Sequence, residues 1–250
     1  MSTGLVVEGL TVVRGGRTVV RDVGLHVEPG RVVCVLGPNG AGRSSTILAM
    51  AGLLPCSGHI TVNGKEVVGL RPDRIRATGM STVLENHRVL SALSVHDNLR
   101  VAGGRRGSRR NEAVDKVLVT FPELKEHLER PAGQLSGGQQ QMLALGQALV
   151  SQPTYVLIDE MSMGLAPVIV KRLLAVLRDL AADGIGVLLV EQFAHLALSV
   201  SDSAYVMSRG EIVYSGDASE LDHDGELLHD LYLGTARAVE GEVVPITDSV

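Results

Sequence analysis

Three stretches of this chain hold residues whose types and spacing suit work on phosphate. In Gly37-Pro38-Asn39-Gly40-Ala41-Gly42-Arg43-Ser44-Ser45, the glycines let backbone amides turn inward around an anion without a Cβ in the way. Ser44 brings a hydroxyl suited to a magnesium ion, and a helix starting here would aim its positive end at the same anion. The pattern is G-x-x-x-x-G-[KR]-S, with Arg43 where lysine is usual. Arginine keeps the charge but brings a wider planar fork, so the exchange is not conservative. The expectation is nucleotide binding in weakened form, hydrolysis more exposed to the change, and Arg43→Lys raising turnover.

The second stretch is Tyr155-Val156-Leu157-Ile158-Asp159-Glu160, an apolar run ending in two acids. Beside a phosphate loop, Asp159 can hold magnesium through water, and Glu160 can position and deprotonate the attacking water. Alone, such a run would read as a strand ending in a solvated turn; the loop upstream reverses that preference. The third stretch is Leu135-Ser136-Gly137-Gly138-Gln139. Ser136 suits an N-cap, and the glycines expose backbone donors at the start of a helix, which makes a second anion site far from the first.

Elements must hold these stretches in place. Arg31 to Leu36 is apolar on both faces, as in a strand inside a parallel sheet, and it leads directly into Gly37. A helix-like segment follows, from Thr46 to Leu54. Short β-branched runs precede it, with Gly15-Gly16 as a turn, and Asn63-Gly64 marks a hairpin. From about 95 to 150 the pattern changes to helices, interrupted by an arginine-rich stretch from Arg105 to Arg110 that reads as a solvated loop. Buried strands return at Tyr155–Ile158 and Gly186–Val190, with helical spacing from Val168 to Ala182 between them. The fold class is α/β: a phosphate-loop core with a mostly parallel sheet, an N-terminal antiparallel β subdomain and an inserted helical subdomain. Residues 1–234 form the domain and 235–250 a loosely ordered tail.

The phosphate loop, the D-E strand end and L-S-G-G-Q on one chain together resemble the ATP-binding-cassette ATPases, over nearly the whole length from Leu5 to Gly234. Ser162-Met163-Gly164-Leu165-Ala166-Pro167 and Val190-Glu191-Gln192 look like the ATP-binding subunits of branched-chain amino-acid importers. The resemblance implies ATP and Mg2+ as cofactors, and a homodimer or heterodimer in which each signature closes over the other subunit's nucleotide. It also implies two membrane permease subunits, an extracytoplasmic substrate-binding protein, and a place on the cytoplasmic face of the membrane. By the same resemblance Gln192 stands at the position of a γ-phosphate-sensing histidine, and Glu85 at that of a loop glutamine touching metal and permease. Arg14 stands where an aromatic would stack on adenine, Met161 for a proline and Gln147 for an arginine. A soluble cassette ATPase without a transport role, and a nucleotide-binding regulatory subunit with little hydrolysis, remain alternatives.

Composition narrows the field. The chain has 250 residues, 45% hydrophobic and 20% charged, enough for a sizeable core. A formal charge of -5 and 2% aromatic residues argue against nucleic acid as a partner. Cys34 and Cys56 read as reduced thiols. The N-terminus lacks the pattern of a signal peptide, and no apolar run approaches the ~20 residues of a membrane span. His87, His96 and His195 have no metal-ligand spacing.

Overall fold

The computed structural model describes residues 4–85, 89–103, 108–233, 236–239 and 242–245. His87 and residues 105–107 of the arginine-rich stretch lie outside them, as does the chain beyond 245.

Three apolar runs form the centre by sorting alternate side chains to opposite faces. In β3 (Val32–Leu36), β7 (Tyr155–Asp159) and β8 (Gly186–Val190) every residue is buried. Val32, Cys34, Leu36, Val156, Ile158, Val187 and Leu189 face one core, which also receives the helices around Leu143, Leu173 and Leu177. Val33, Val35, Tyr155, Leu157, Leu188 and Val190 face the other, against Ile47 and Met50. Strands buried on both faces need no polar alternation, so these runs read as continuous apolar segments.

The eight-stranded sheet has the order β12-β11-β10-β9-β3-β8-β7-β6. Its remaining strands are β6 (Met80–Val83), β9 (Ser203–Ser208), β10 (Glu211–Asp217), β11 (Ala236–Val239) and β12 (Glu242–Pro245). From β9 to β6 all neighbours are parallel, while β10 pairs antiparallel with β9. The last two strands fall where the sequence reading has a loose tail; β11 pairs in parallel with β10 and antiparallel with β12.

A separate antiparallel sheet, of order β2-β1-β4-β5, is built from β1 (Leu5–Arg14), β2 (Arg17–Val27), β4 (Ser57–Val62) and β5 (Lys65–Glu66). Gly15 and Gly16 take φ 56° and 75° at the β1–β2 turn, which pairs Arg14 with Arg17. Both central residues of a twist-matched two-residue hairpin need positive φ, which glycine adopts freely.

Helices α3 (Val95–Ala102), α4 (Ser108–Thr120) and α5 (Gly137–Leu149) occupy the middle of the chain. Buried Asn98 ties α3 to α5 and to the segment before α3. Its amide nitrogen donates to the carbonyls of Leu90, Leu93 and Ser94, and its oxygen accepts from Gln147 Nε2 on α5 at 2.9 Å. Gln147 therefore serves the packing of α3 on α5, and its own carbonyl accepts from Arg76. Helix α6 (Pro167–Ala182) connects β7 to β8 and covers the sheet with Leu173, Leu174 and Leu177.

Candidate functional site

The phosphate loop leaves β3 at the carboxyl edge of the sheet, between β8 and β9, and enters α1 (Arg43–Met50). Glycine is required at two places here. At Gly37, with φ 145°, a Cβ would lie 2.1 Å from the carbonyl oxygen of Met207. At Gly42, which caps α1 with φ 107°, it would lie 2.6 Å from that of Val19. A cleft of about 390 Å³ opens over the loop, lined by Arg14, Val19, Asn39 through Ser45 and Glu160. Pro38 is half-buried, Asn39 and Gly40 are exposed, and Ala41 and Ser45 are buried. Arg14 reaches over α1 to Ser45 Oγ at 3.5 Å.

The two acids at the end of β7 meet this loop although 115 residues and more separate them in sequence. Ser44 Oγ donates to Asp159 Oδ1 at 3.3 Å, and Arg43 Nη2 pairs with Glu160 Oε1 at 3.3 Å. Arg43 also donates from Nη1 to the carbonyl of Glu191. Burial, joined by the charges of Glu160 and Glu85 and opposed by the Ser44 hydroxyl and the Arg43 charge, raises the Asp159 carboxyl to about 6. The coupling brings Glu85, half-buried just past β6, into the same electrostatic neighbourhood. Among the described residues no cluster of three or more His, Cys, Asp or Glu is placed to hold a metal. The Ser44–Asp159 pair thus offers a hydroxyl and a carboxylate. This oxygen set suits a hard cation that keeps much of its water.

Gln192 follows β8 and is exposed, beside buried Glu191. The Glu191 carboxylate turns the other way, accepting from the Ser162 backbone N–H at 2.9 Å and from Ser162 Oγ at 2.7 Å. Burial holds this carboxyl above its ordinary range despite those donors. Met161 and Ser162 are buried while Met163 is 47% exposed, so the segment after the acids runs from core to surface.

The signature segment lies at the start of α5. Ser136 and Gln139 form a reciprocal cap: the Ser136 oxygen accepts from the Gln139 N–H, and the Gln139 side chain accepts from the Ser136 N–H. Ser136 and Gly137 are exposed and Leu135 is buried. A Cβ on Gly138 would lie 2.8 Å from Ile169 Cγ2, so this glycine lets α5 approach α6. One signature glycine is thus occupied by packing in its own chain, while its neighbour faces outward.

Sequence reasoning missed one residue beneath the loop. The Tyr232 hydroxyl on α9 (Gly225–Leu233) accepts from the Gly37 N–H at 3.3 Å. Burial raises the Tyr232 phenol, and the Arg43 charge partly offsets the rise. A single tyrosine 195 residues further along carries no local signal; only the fold brings it here.

A family model described as ABC transporter matches residues 20–163. The high-affinity branched-chain amino acid transport ATP-binding protein BraG of Pseudomonas aeruginosa is 40% identical over 217 residues, covering 86% of this chain and 93% of that protein. The probable branched-chain amino acid transport ATP-binding protein LivF of Archaeoglobus fulgidus is 34% identical over 206 residues, covering 80% and 86%. The lipopolysaccharide export system ATP-binding protein LptB of Escherichia coli is 32% identical over 230 residues, covering 88% and 92%. A solved ATP binding subunit of an ABC transporter superposes with TM-score 0.80 at 26% identity, over 93% of this chain and 99% of that one.

Proposed function

Because the chain belongs to the ABC transporter family as an ATP-binding subunit, we propose that it hydrolyses MgATP to drive an importer of branched-chain amino acids. The observation that carries the reading is the meeting of Ser44 with Asp159, and of Arg43 with Glu160, in one cleft over the phosphate loop. In this reading Gly37 through Ser45 hold the phosphates. Ser44 and Asp159 hold Mg2+, Glu160 takes the proton of the attacking water, and Gln192 and Glu85 sense nucleotide and metal. Mg2+ would neutralise phosphate charge; the chain's part is to orient the water and accept its proton.

Residues 1–234 act as one ATP-binding domain with the helices of about 95–150 inserted, and 235–250 as its tail. The chain works as a homodimer or with a second, related ATPase subunit. Leu135 to Gln139 of each subunit then complete the other's cleft. Two permeases dock in the groove between the sheet and the inserted helices. This groove, about 320 Å³, is lined by Leu53, Ile75, Met80, Leu84, Val101 and Ala144 among others, and Glu85 follows its β6 wall. Leu53 is 48% and Val101 60% exposed there, an apolar edge suited to a partner helix. Among the described residues no helix is long and apolar enough to cross a membrane, so the reading places the chain on the cytoplasmic face through its permeases. An extracytoplasmic binding protein delivers the substrate.

The amino-acid substrate rests on BraG and LivF, and LptB is the counterweight, since its name gives lipopolysaccharide export. The test is reconstitution with the permeases and binding protein in proteoliposomes. ATP-dependent leucine uptake is expected, and Glu160→Gln should reduce both uptake and ATP hydrolysis by about 100-fold or more. ATP hydrolysis without leucine uptake would remove the amino-acid reading. Unchanged hydrolysis in Glu160→Gln would remove the base.

A further inference from the structure

Arg43 serves two acceptors with two separate nitrogens. Nη1 donates to the backbone carbonyl of Glu191 and Nη2 to Glu160 Oε1, with the Arg43 side chain 5% and that of Glu160 13% exposed. The acceptors stand just past the ends of neighbouring strands, β7 and β8, which pair in parallel as far as Asp159 and Val190. A guanidinium is a rigid fork that sends separate N–H groups to acceptors at fixed spacing, whereas an ammonium is a compact point charge. Glu160 needs such a holder. Its φ is 48°, in the left-handed region that non-glycine residues avoid, and its N–H is tied to the Val190 carbonyl at 2.9 Å. Of the five N–H groups of the guanidinium these two acceptors take two.

We propose that Arg43 is a positioning residue: it aims the Glu160 carboxylate across the phosphate loop and ties that aim to the end of β8, where Gln192 follows. This rests on the ATPase reading above, and it reverses the sign first expected for Arg43→Lys. Arginine at this position is then a built part of the site, because its rigid fork sends one nitrogen to each of two strand ends where a lysine would bring a single nitrogen.

The test uses the full chain with Arg43→Lys, Arg43→Met, Glu160→Gln and the Met/Gln double variant. Lysine keeps a charge for phosphate but lets Glu160 swing. Its kcat for ATP should therefore fall about tenfold or more while KM stays within about threefold. An unchanged or raised kcat would overturn the proposal. Thermal unfolding without nucleotide gives a second reading, because Glu160→Gln should lower Tm when Arg43 is present and leave it unmoved in Arg43→Met. Strictly additive shifts would also overturn it. Should the wild-type chain hydrolyse no ATP, the ATPase reading fails, while the unfolding cycle still decides whether the brace exists.

Discussion

The thiol of Cys34 lies in the middle of β3 with no exposed surface, and burial pushes its pKa up to about 12. Cys56 is half-buried, and burial with the nearby Glu66 charge raises it too. Thiolates rather than thiols react. Iodoacetamide at pH 8 should therefore modify Cys56 slowly and leave Cys34 untouched until the chain unfolds; mass spectrometry showing equal labelling of both in the native protein would contradict this. Asp159 behaves in the same sense but with functional weight. Its folded-state value of about 6 lies above the ~3.9 of an unfolded aspartate. The folded state thus holds the proton more tightly, and the stability this gives is complete below about pH 4 and lost as pH rises through 6. At neutral pH the buried carboxylate costs about 2–3 kcal/mol by that linkage. In Asp159→Asn the side-chain oxygen still accepts from Ser44. Without Mg2+ this variant should melt about 5 °C or more above the parent at pH 8, and the gain should roughly halve by pH 5. A gain independent of pH would show that burial of the charge is not its cause.

The start of α5 carries a demand of its own at the scale of elements. Gly138 sits in the first turn against Ile169 of α6, where a Cβ would come within 2.8 Å of a half-buried, β-branched side chain that would have to shift. Gly138→Ala should cost about 1–3 kcal/mol in chemical denaturation. In an Ile169→Ala background, where the space is open, most of that cost should vanish; the same cost in both backgrounds would place the strain elsewhere. Gly138 therefore answers to helix packing, a demand that the five-letter pattern alone does not reveal. What was legible in sequence follows the same division. β3, β7 and β8 read easily because both faces are buried, and the loop after β3 is a local pattern. β2 shows in the sequence only as a short β-branched run after Gly15-Gly16, although it runs from Arg17 to Val27. Asp22, at φ 49°, interrupts it, and the register with β1 shifts, so the alternation of Val23, Leu25 and Val27 falls out of phase with what precedes it. Arg43 with Glu160, and Tyr232 with Gly37, join residues 117 and 195 apart, and no local pattern encodes such pairs.

In the whole molecule the two anion-binding features do not share a wall. The cleft over the phosphate loop is lined by Arg14, Val19, Asn39 to Ser45 and Glu160, while Ser136 and Gly137 stand exposed at the head of α5. The amides of a first helical turn have no partner within the helix. The Ser136–Gln139 cap satisfies those of Ser136 and Gln139, which leaves the turn at Gly137 aimed outward with the positive end of the helix dipole behind it. If a second subunit's triphosphate completes this half-site, a negative charge at residue 137 must oppose dimer closure by Coulomb repulsion. The same charge at a helix N-terminus favours the helix by about 0.3–1 kcal/mol. The two effects have opposite signs, and one variant separates them. In a Glu160→Gln background with MgATP, size-exclusion chromatography with light scattering should find a dimer. Adding Gly137→Asp should return the chain to monomer while its Tm measured without nucleotide holds or rises. A dimer that survives the added charge would mean that α5 does not face a neighbour's phosphates. A fall in the nucleotide-free Tm would instead make the loss of the dimer a matter of monomer stability.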